Sequence, residues 1–224
     1  MATMIGCYIN TYGPLVSTRA GREASCEYNL PPFIDGSIRR EPDLEHRYPS
    51  ISCLCRTDKF APRLELADIV AYLTKKARYG KEQAHRRLTA VLKVYRVLPT
   101  HLDAAHWYRA KGESLPVNCC VPGNRPKAYE HSNRIFSGLA CVPQSRIRQQ
   151  WDKEYRYRAS TFPTFVVCKP LFRELRWNAP IVTDSNLIKA FGCVPGTQNP
   201  GKLDPKRFVR WLKQYGVHVQ LPDQ

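Results

Sequence analysis

LADIVAYLT (66–74) and, after a polar and strongly basic interval, LTAVLKVYRV (88–97) are the two stretches that decide the fold class. The first is dense in apolar and β-branched residues, as expected of a buried strand. The second alternates: Leu88, Ala90, Leu92 and Val94 share one face, and Thr89, Val91, Lys93 and Tyr95 share the other. The interval between them, KKARYGKEQAHRR (75–87), reads as the loop of a basic hairpin,.

Working outward, MIGCYI (4–9) predicts a first strand and TFVVCK (164–169) a further one, stopped by Pro170. Residues 11–62 read as a long loop, because Gly13-Pro14, Pro31-Pro32, Asp35-Gly36, Pro42, Pro49 and Pro62 interrupt any regular element,. Four helices are punctuated by their caps. Thr100 with Asp103 opens one that Gly112 closes, and Ser145 opens another carrying Ile147, Trp151 and Tyr155,. Leu187, Ile188 and Phe191 mark a third, stopped at Gly192. In the last, Asp204 caps, Pro205 fits the first turn, Phe208, Trp211, Leu212 and Tyr215 form one apolar stripe, and Gly216 ends it,. Arg207, Arg210 and Gln214 fall on another face of that helix, where they are solvated or can touch phosphate. No internal repeat or low-complexity linker divides the chain. The expectation is an α+β fold: one domain over residues 1–224, built on a small mixed β-barrel with flanking short helices, a long N-terminal loop and a helical C-terminal extension from about residue 180.

Composition narrows the function classes. Hydrophobic residues make up 43% of the 224, enough for a packed core,. No apolar run approaches the roughly 20 residues that span a bilayer, and MATMIGCYINTYGP has no basic, then apolar, leader pattern, so a cytoplasmic protein without a membrane partner is expected,. Nine cysteines, an odd number without an export signal, read as free thiols, with Cys7, Cys141 and Cys168 in apolar surroundings,. Thirty-five Lys and Arg against 19 Asp and Glu leave a formal charge of +16. The excess is uneven: residues 1–50 carry five basic and six acidic groups, whereas between Lys75 and Arg96 eight basic residues face only Glu82. Such a cluster suits the phosphates of a nucleic acid, which it neutralises while releasing condensed cations. A solvated basic surface is the plainer alternative.

The two strands and the basic loop between them resemble the PUA-like superfamily, in particular its EVE and ASCH branches, whose corresponding strand reads Gly-Asp-x-Val and then an aromatic. Asp68, Val70 and Tyr72 match, while Ala67 stands where the glycine is usual. Three further segments, IDGSIRREPDLEHRYPSISCLCR (34–56), LPVNCCVPGN (115–124) and APIVTDSNLIKAFGCVPGT (179–197), are similar to a bacterial nucleotide-modification-associated domain family of the third type. The resemblance implies a PUA-like barrel that reads modified bases or nucleotides in a DNA modification or restriction context, and partner enzymes of such a system. It supplies no mechanism.

Within this reading, Lys75, Lys76, Arg78, Arg86 and Arg87 are expected to track a sugar-phosphate backbone, DNA rather than RNA,. Arg39 and Arg40 can fork onto phosphate or a guanine edge, or else form internal salt bridges with Asp35, Glu41, Asp43 and Glu45,. A base taken out of its stack needs an aromatic platform and edge-reading polar groups. Tyr12 and Tyr48, in loops, are the stacking candidates at the barrel mouth. Asn118, with Asn10 and Ser17, is the edge reader, and Trp107 and Trp177 are expected in the core. No catalytic set, cofactor or metal site is assigned. The four loop carboxylates can be read as Mg²⁺ ligands of a metal-dependent enzyme acting on nucleotides or DNA, but no lysine or second acidic strand accompanies them,. His46, Cys53 and Cys55, or Cys119, Cys120 and His131, lack zinc-knuckle spacing,. A protein-interaction scaffold is the remaining alternative.

Overall fold

β1 (Cys7–Tyr12) and β3 (Ile69–Thr74) run parallel, and β4 (Arg86–Leu98) returns antiparallel beside β3. The computed structural model describes residues 5–80, 82–127 and 144–220. β5 (Phe165–Arg173) pairs with β4, and β2 (Ser50–Ser52) closes the far edge, giving the order β1-β3-β4-β5-β2. β6 (Ile181–Val182) pairs with Arg87 and Arg86, the part of β4 that β5 does not reach. Register shifts at Tyr72/Leu73, Val91/Leu92 and Val94/Arg96 bend this mixed sheet into a half-barrel, since an extra residue on one strand increases the local twist,. The α+β expectation holds at this level.

Every residue of β3 is buried, as its unbroken apolar run requires. The side chains sort into two cores, and the Tyr72/Leu73 register shift moves Leu88 off the face expected for it, that of Ala90, Leu92 and Val94, onto the other. Tyr8, Tyr12, Val70, Tyr72, Ala90, Leu92 and Val94 pack on one face beneath Leu15, Ile34, Leu44, Phe60 and Leu64 of the long β1–β3 crossover. Cys7, Ile9, Ile69, Ala71, Leu73, Leu88 and Val91 pack on the other beneath Leu187, Phe208, Trp211 and Leu212. The C-terminal segment therefore completes the second core and is no appendage.

The helices expected from Thr100 and Asp204 start on those caps. α2 (His101–Ala110) is capped by Thr100, whose hydroxyl accepts from Asp103 N at 3.1 Å. α3 spans Gln144–Thr161. α4 (Asp184–Phe191) opens on a Thr183–Asn186 capping box and closes on Gly192 at φ 82°. α5 (Pro205–Lys213) opens on Asp204, whose carboxylate accepts from Arg207 N at 2.7 Å.

Two expectations are corrected. The 11–62 loop contains α1 (Arg19–Glu27), capped by Thr18, as well as β2. That helix buries only Gly21 and Ala24, so it has no apolar stripe to announce it,. A Cβ on Gly21 would lie 1.7 Å from Leu15 O, which is why a glycine occupies a helix interior here,. β5 also does not stop at Pro170 but runs on to Arg173: Pro170 lies at the Val91/Leu92 register shift, where a missing N–H costs the ladder least,.

Asp68 ties the sheet together. Its buried carboxylate accepts from Gly6 N at 2.6 Å and from Glu65 N at 2.9 Å, joining the entries to β1 and β3. The preceding Ala67 has φ 70°. A side chain in that left-handed region costs about 1–2 kcal/mol. Ala67→Gly is expected to raise stability by up to about 1 kcal/mol, the relief being partly offset by the freer unfolded chain. Phe208→Ala, at a fully buried position, is expected to lower it by about 3–5 kcal/mol. Urea unfolding read by fluorescence checks both, and a loss on Ala67→Gly would contradict the strain at that turn.

Candidate nucleic-acid interface

Beyond Val91 the face of β4 that α4 and α5 cover runs out from under them, and its next residue, Lys93, pairs across the sheet with Lys169 of β5. The shift between Val94 and Arg96 leaves Tyr95 in the bulge, and bulges re-aim side chains in this way. The Tyr95 ring stacks at 16° and 6.4 Å on that of Tyr48. Trp107 of α2 meets both edge-on, at 5.3 Å from Tyr48 and 6.1 Å from Tyr95. Three cations border these half-buried rings. Lys169 Nζ lies 4.1 Å and the Arg96 guanidinium 4.7 Å from the Tyr95 centroid, and Arg47 lies 5.6 Å from that of Tyr48. Arg47 is paired with Glu113, whereas Lys93, Arg96 and Lys169 have no carboxylate partner among the described residues.

The loop that carries Tyr48 is clamped. Arg173 Nη1 donates to the carbonyls of Leu44, Glu45 and His46, at 3.2, 3.1 and 2.7 Å. His46 Nδ1 lies 3.0 Å from Tyr48 N and 3.1 Å from Tyr48 O, and its Nε2 lies 2.9 Å from Ser114 O. Tyr108 beneath donates to Tyr48 O at 2.8 Å. The aromatic cluster is thus held before any ligand arrives.

Tyr48 is the expected site residue that this cluster retains. Tyr12 ends β1 inside the first core, its hydroxyl donating to Phe33 O and lying 3.0 Å from Thr89 Oγ1, so it offers no ring to a base. Asn118 is buried as well: its amide donates to Glu41 Oε2 at 2.9 Å and its carbonyl accepts from Ser50 at 2.7 Å, leaving no edge to read a ligand with. Arg39 and Arg40, 2% and 1% exposed, serve the salt-bridge role. Arg39 Nε donates to Asp152 at 2.8 Å, and Arg40 donates to the carbonyls of Asp35 and Ser37 and pairs with Glu45 at 3.4 Å. Neither arginine faces a solvent-borne phosphate.

The hairpin loop is only partly free. Lys76 and Arg86 both pair with Asp184, whose carboxyl they hold below the usual range. Arg87 is buried against Trp177 O, Ala179 O and Glu82. Lys75 and Arg78 remain exposed, without a carboxylate partner among the described residues. Trp107, expected in the core, belongs to the surface cluster, and Trp177 is half exposed, edge-on to Phe33. Tyr95, Lys93 and Lys169 were missed as site residues. Their signal was the placement of Lys93 and Tyr95 among the apolar residues of LTAVLKVYRV.

At the Glu41 end of the sheet lies a cavity of about 20 Å³ lined by Asn10, Thr11, Glu41, Ser52, Arg56 and Tyr72 among others. It has room for a single water molecule, so it is no pocket for a base. The loop carboxylates are engaged within the fold. Asp43 accepts from Val117 N at 2.7 Å and Glu45 N at 3.1 Å; Asp35 accepts from Ser37 N at 2.9 Å; Glu41 accepts from Ser52 N at 3.0 Å. Among the described residues no group of three His, Cys, Asp or Glu side chains is placed to hold a metal ion. His131 and Cys141 lie outside the described residues. The other eight cysteines are free thiols. No described helix is long and apolar enough to cross a membrane. Compared with known families, curated proteins and solved structures, the chain matches none of them.

Burial pushes Glu41 up to about 8 and Asp35 up to about 6. Burial, with Arg39 nearby, pulls His101 down to about 4. In the unfolded chain these groups titrate near 4.5, 3.8 and 6.5. The folded protein therefore holds extra carboxyl protons at low pH, a contribution present below the unfolded values and lost as pH rises through 6 and then 8. His101 acts oppositely, its contribution being present above 6.5 and lost as pH falls through 4. Between about pH 6.5 and 8 the Glu41 effect stands alone among the three, at most about 1.4 kcal/mol per pH unit. Urea midpoints are expected to fall across that window in the wild type and to stay level in Glu41→Gln; an equal slope in both would show that Glu41 is ionised in the fold.

Proposed function

We propose that this protein binds nucleic acid through the Tyr48–Tyr95–Trp107 cluster, with unpaired or unstacked bases against the rings and the backbone along Lys93, Lys169 and Arg96. One observation carries the reading: Lys169 and Arg96 lie over Tyr95 and have no carboxylate partner among the described residues, so cation and ring are offered together. Sequence-tolerant binding of single strands uses this combination of stacking platform and electrostatic track. Lys75 and Arg78 add exposed charge from the β3–β4 loop. The net charge of +16 supplies long-range attraction,.

Stacking reads a ring face and tolerates substituents on the base edge, so a modified base is as acceptable to this surface as an ordinary one. The segments that resemble the nucleotide-modification-associated family make DNA carrying modified bases the first ligand to try, with partner enzymes of such a system as its company. The metal-dependent alternative has less to draw on, since its carboxylates are engaged in loop hydrogen bonds.

Fluorescence anisotropy with a labelled single-stranded 12-mer tests the reading. Tyr95→Ala with Trp107→Ala is expected to weaken binding at least tenfold, as each base stack is worth about 1–3 kcal/mol. Lys93→Gln with Lys169→Gln should make the slope of log affinity against log salt shallower by about 0.7 for each phosphate no longer neutralised. Affinity and slope unchanged in both variants, with folding intact by circular dichroism, would place binding elsewhere or nowhere.

A further inference from the structure

α4 and α5 enclose a groove of about 360 Å³, lined by Lys189, Arg207, Arg210, Gln214, Ile188 and Trp211 among others. Positions 207, 210 and 214 recur at helical spacing, so their side chains line one face of the α5 turn and its C-terminal edge,. Lys189 comes from the last turn of α4. None of the three cations has a carboxylate partner among the described residues, and none of the residues named in the groove is acidic. Three positive charges around one concavity repel each other and are satisfied together by an anion. Guanidinium groups fit phosphate oxygens through paired N–H donors.

The groove is not wholly polar. Ile188, 51% exposed, forms an apolar wall, and the Trp211 indole lies at its base, packed edge-on against Phe191 and Tyr215 at 5.6 and 5.5 Å. Trp211 Nε1 is buried and has the Tyr215 hydroxyl as its polar neighbour. The volume lies within the range of small-ligand sites. An apolar wall beside a trio of cations suits a ligand with a phosphate at one end and a flat ring at the other.

We propose that this groove binds a phosphate ester of nucleotide size, with Arg207, Arg210 and Lys189 on the phosphate and Ile188 beside the base or sugar. The ester comes either from a free nucleotide or from a nucleic-acid strand. The proposal is independent of the aromatic cluster on β4.

Isothermal titration of the full chain with inorganic phosphate, with AMP and with a 5′-phosphorylated 12-mer distinguishes these sources. Saturable binding of AMP is expected, weakened at least tenfold in Arg207→Gln/Arg210→Gln. Both side chains are exposed, and an unchanged thermal midpoint would show that the variant folds. Lys93→Gln/Lys169→Gln should bind AMP like the wild type, which separates the groove from the β4 surface. If the 12-mer alone binds, and loses affinity in Arg207→Gln/Arg210→Gln, the phosphate belongs to the strand and the assignment of the groove stands. The proposal is overturned if none of the three probes binds saturably, if the arginine variant binds them as the wild type does, or if the lysine variant loses AMP to the same extent.

Discussion

Burial of β3 on both faces is the constraint from which the rest of the structure follows. A strand with no polar side to turn outward needs a cover above and below. The chain supplies one from the long β1–β3 crossover and the other from the C-terminal helices, which are far apart in sequence. Each cover must be fastened. On the crossover side the fastening is polar: Arg39 reaches Asp152 of α3, Glu41 holds Ser52 and Asn118, and Asp68 joins the two strand entries. On the helix side it is apolar, through Phe208, Trp211 and Leu212.

This division of labour explains where the charge goes. A crossover that must bury carbonyls and N–H groups uses its charged residues as internal hydrogen-bonding partners, because a buried polar group left without a partner costs more than a good bond returns. Arg39, Arg40, Asp35, Glu41 and Asp43 are therefore scaffold. Cations on surfaces that nothing needs to fasten stay available, among them those beside Tyr95 on the uncovered end of the sheet and those in the groove between α4 and α5. The two arise from one geometry, since the helix pair covers only part of its sheet face.

Much of the fold was legible. The strand segments, the helices opened by Thr100 and Asp204, the stop of α4 at Gly192 and the α+β class all follow from local rules that the tertiary structure obeys. α1 was not legible, because a helix that buries only glycine and alanine has no stripe. The candidate site was less legible than the fold. Tyr48 lies in the surface aromatic cluster; Tyr12 and Asn118 read as loop residues because Pro and Gly stand near them, whereas in space Tyr12 packs in the first core and Asn118 is buried against Glu41 and Ser50.

By itself the sequence determined where most strands lie, the ends of several helices and the size of the positive charge, since these depend on neighbours within a few positions. Which cations remain unpaired was a tertiary decision. Asp184 reaches Lys76 and Arg86 across about a hundred residues, and Asp152 reaches Arg39 across 113. Pairing energy depends on distance in space, and separation along the chain does not report that distance. The same reason set Tyr95, Tyr48 and Trp107 against one another, three rings from a strand, a loop and a helix that only the folded sheet brings together.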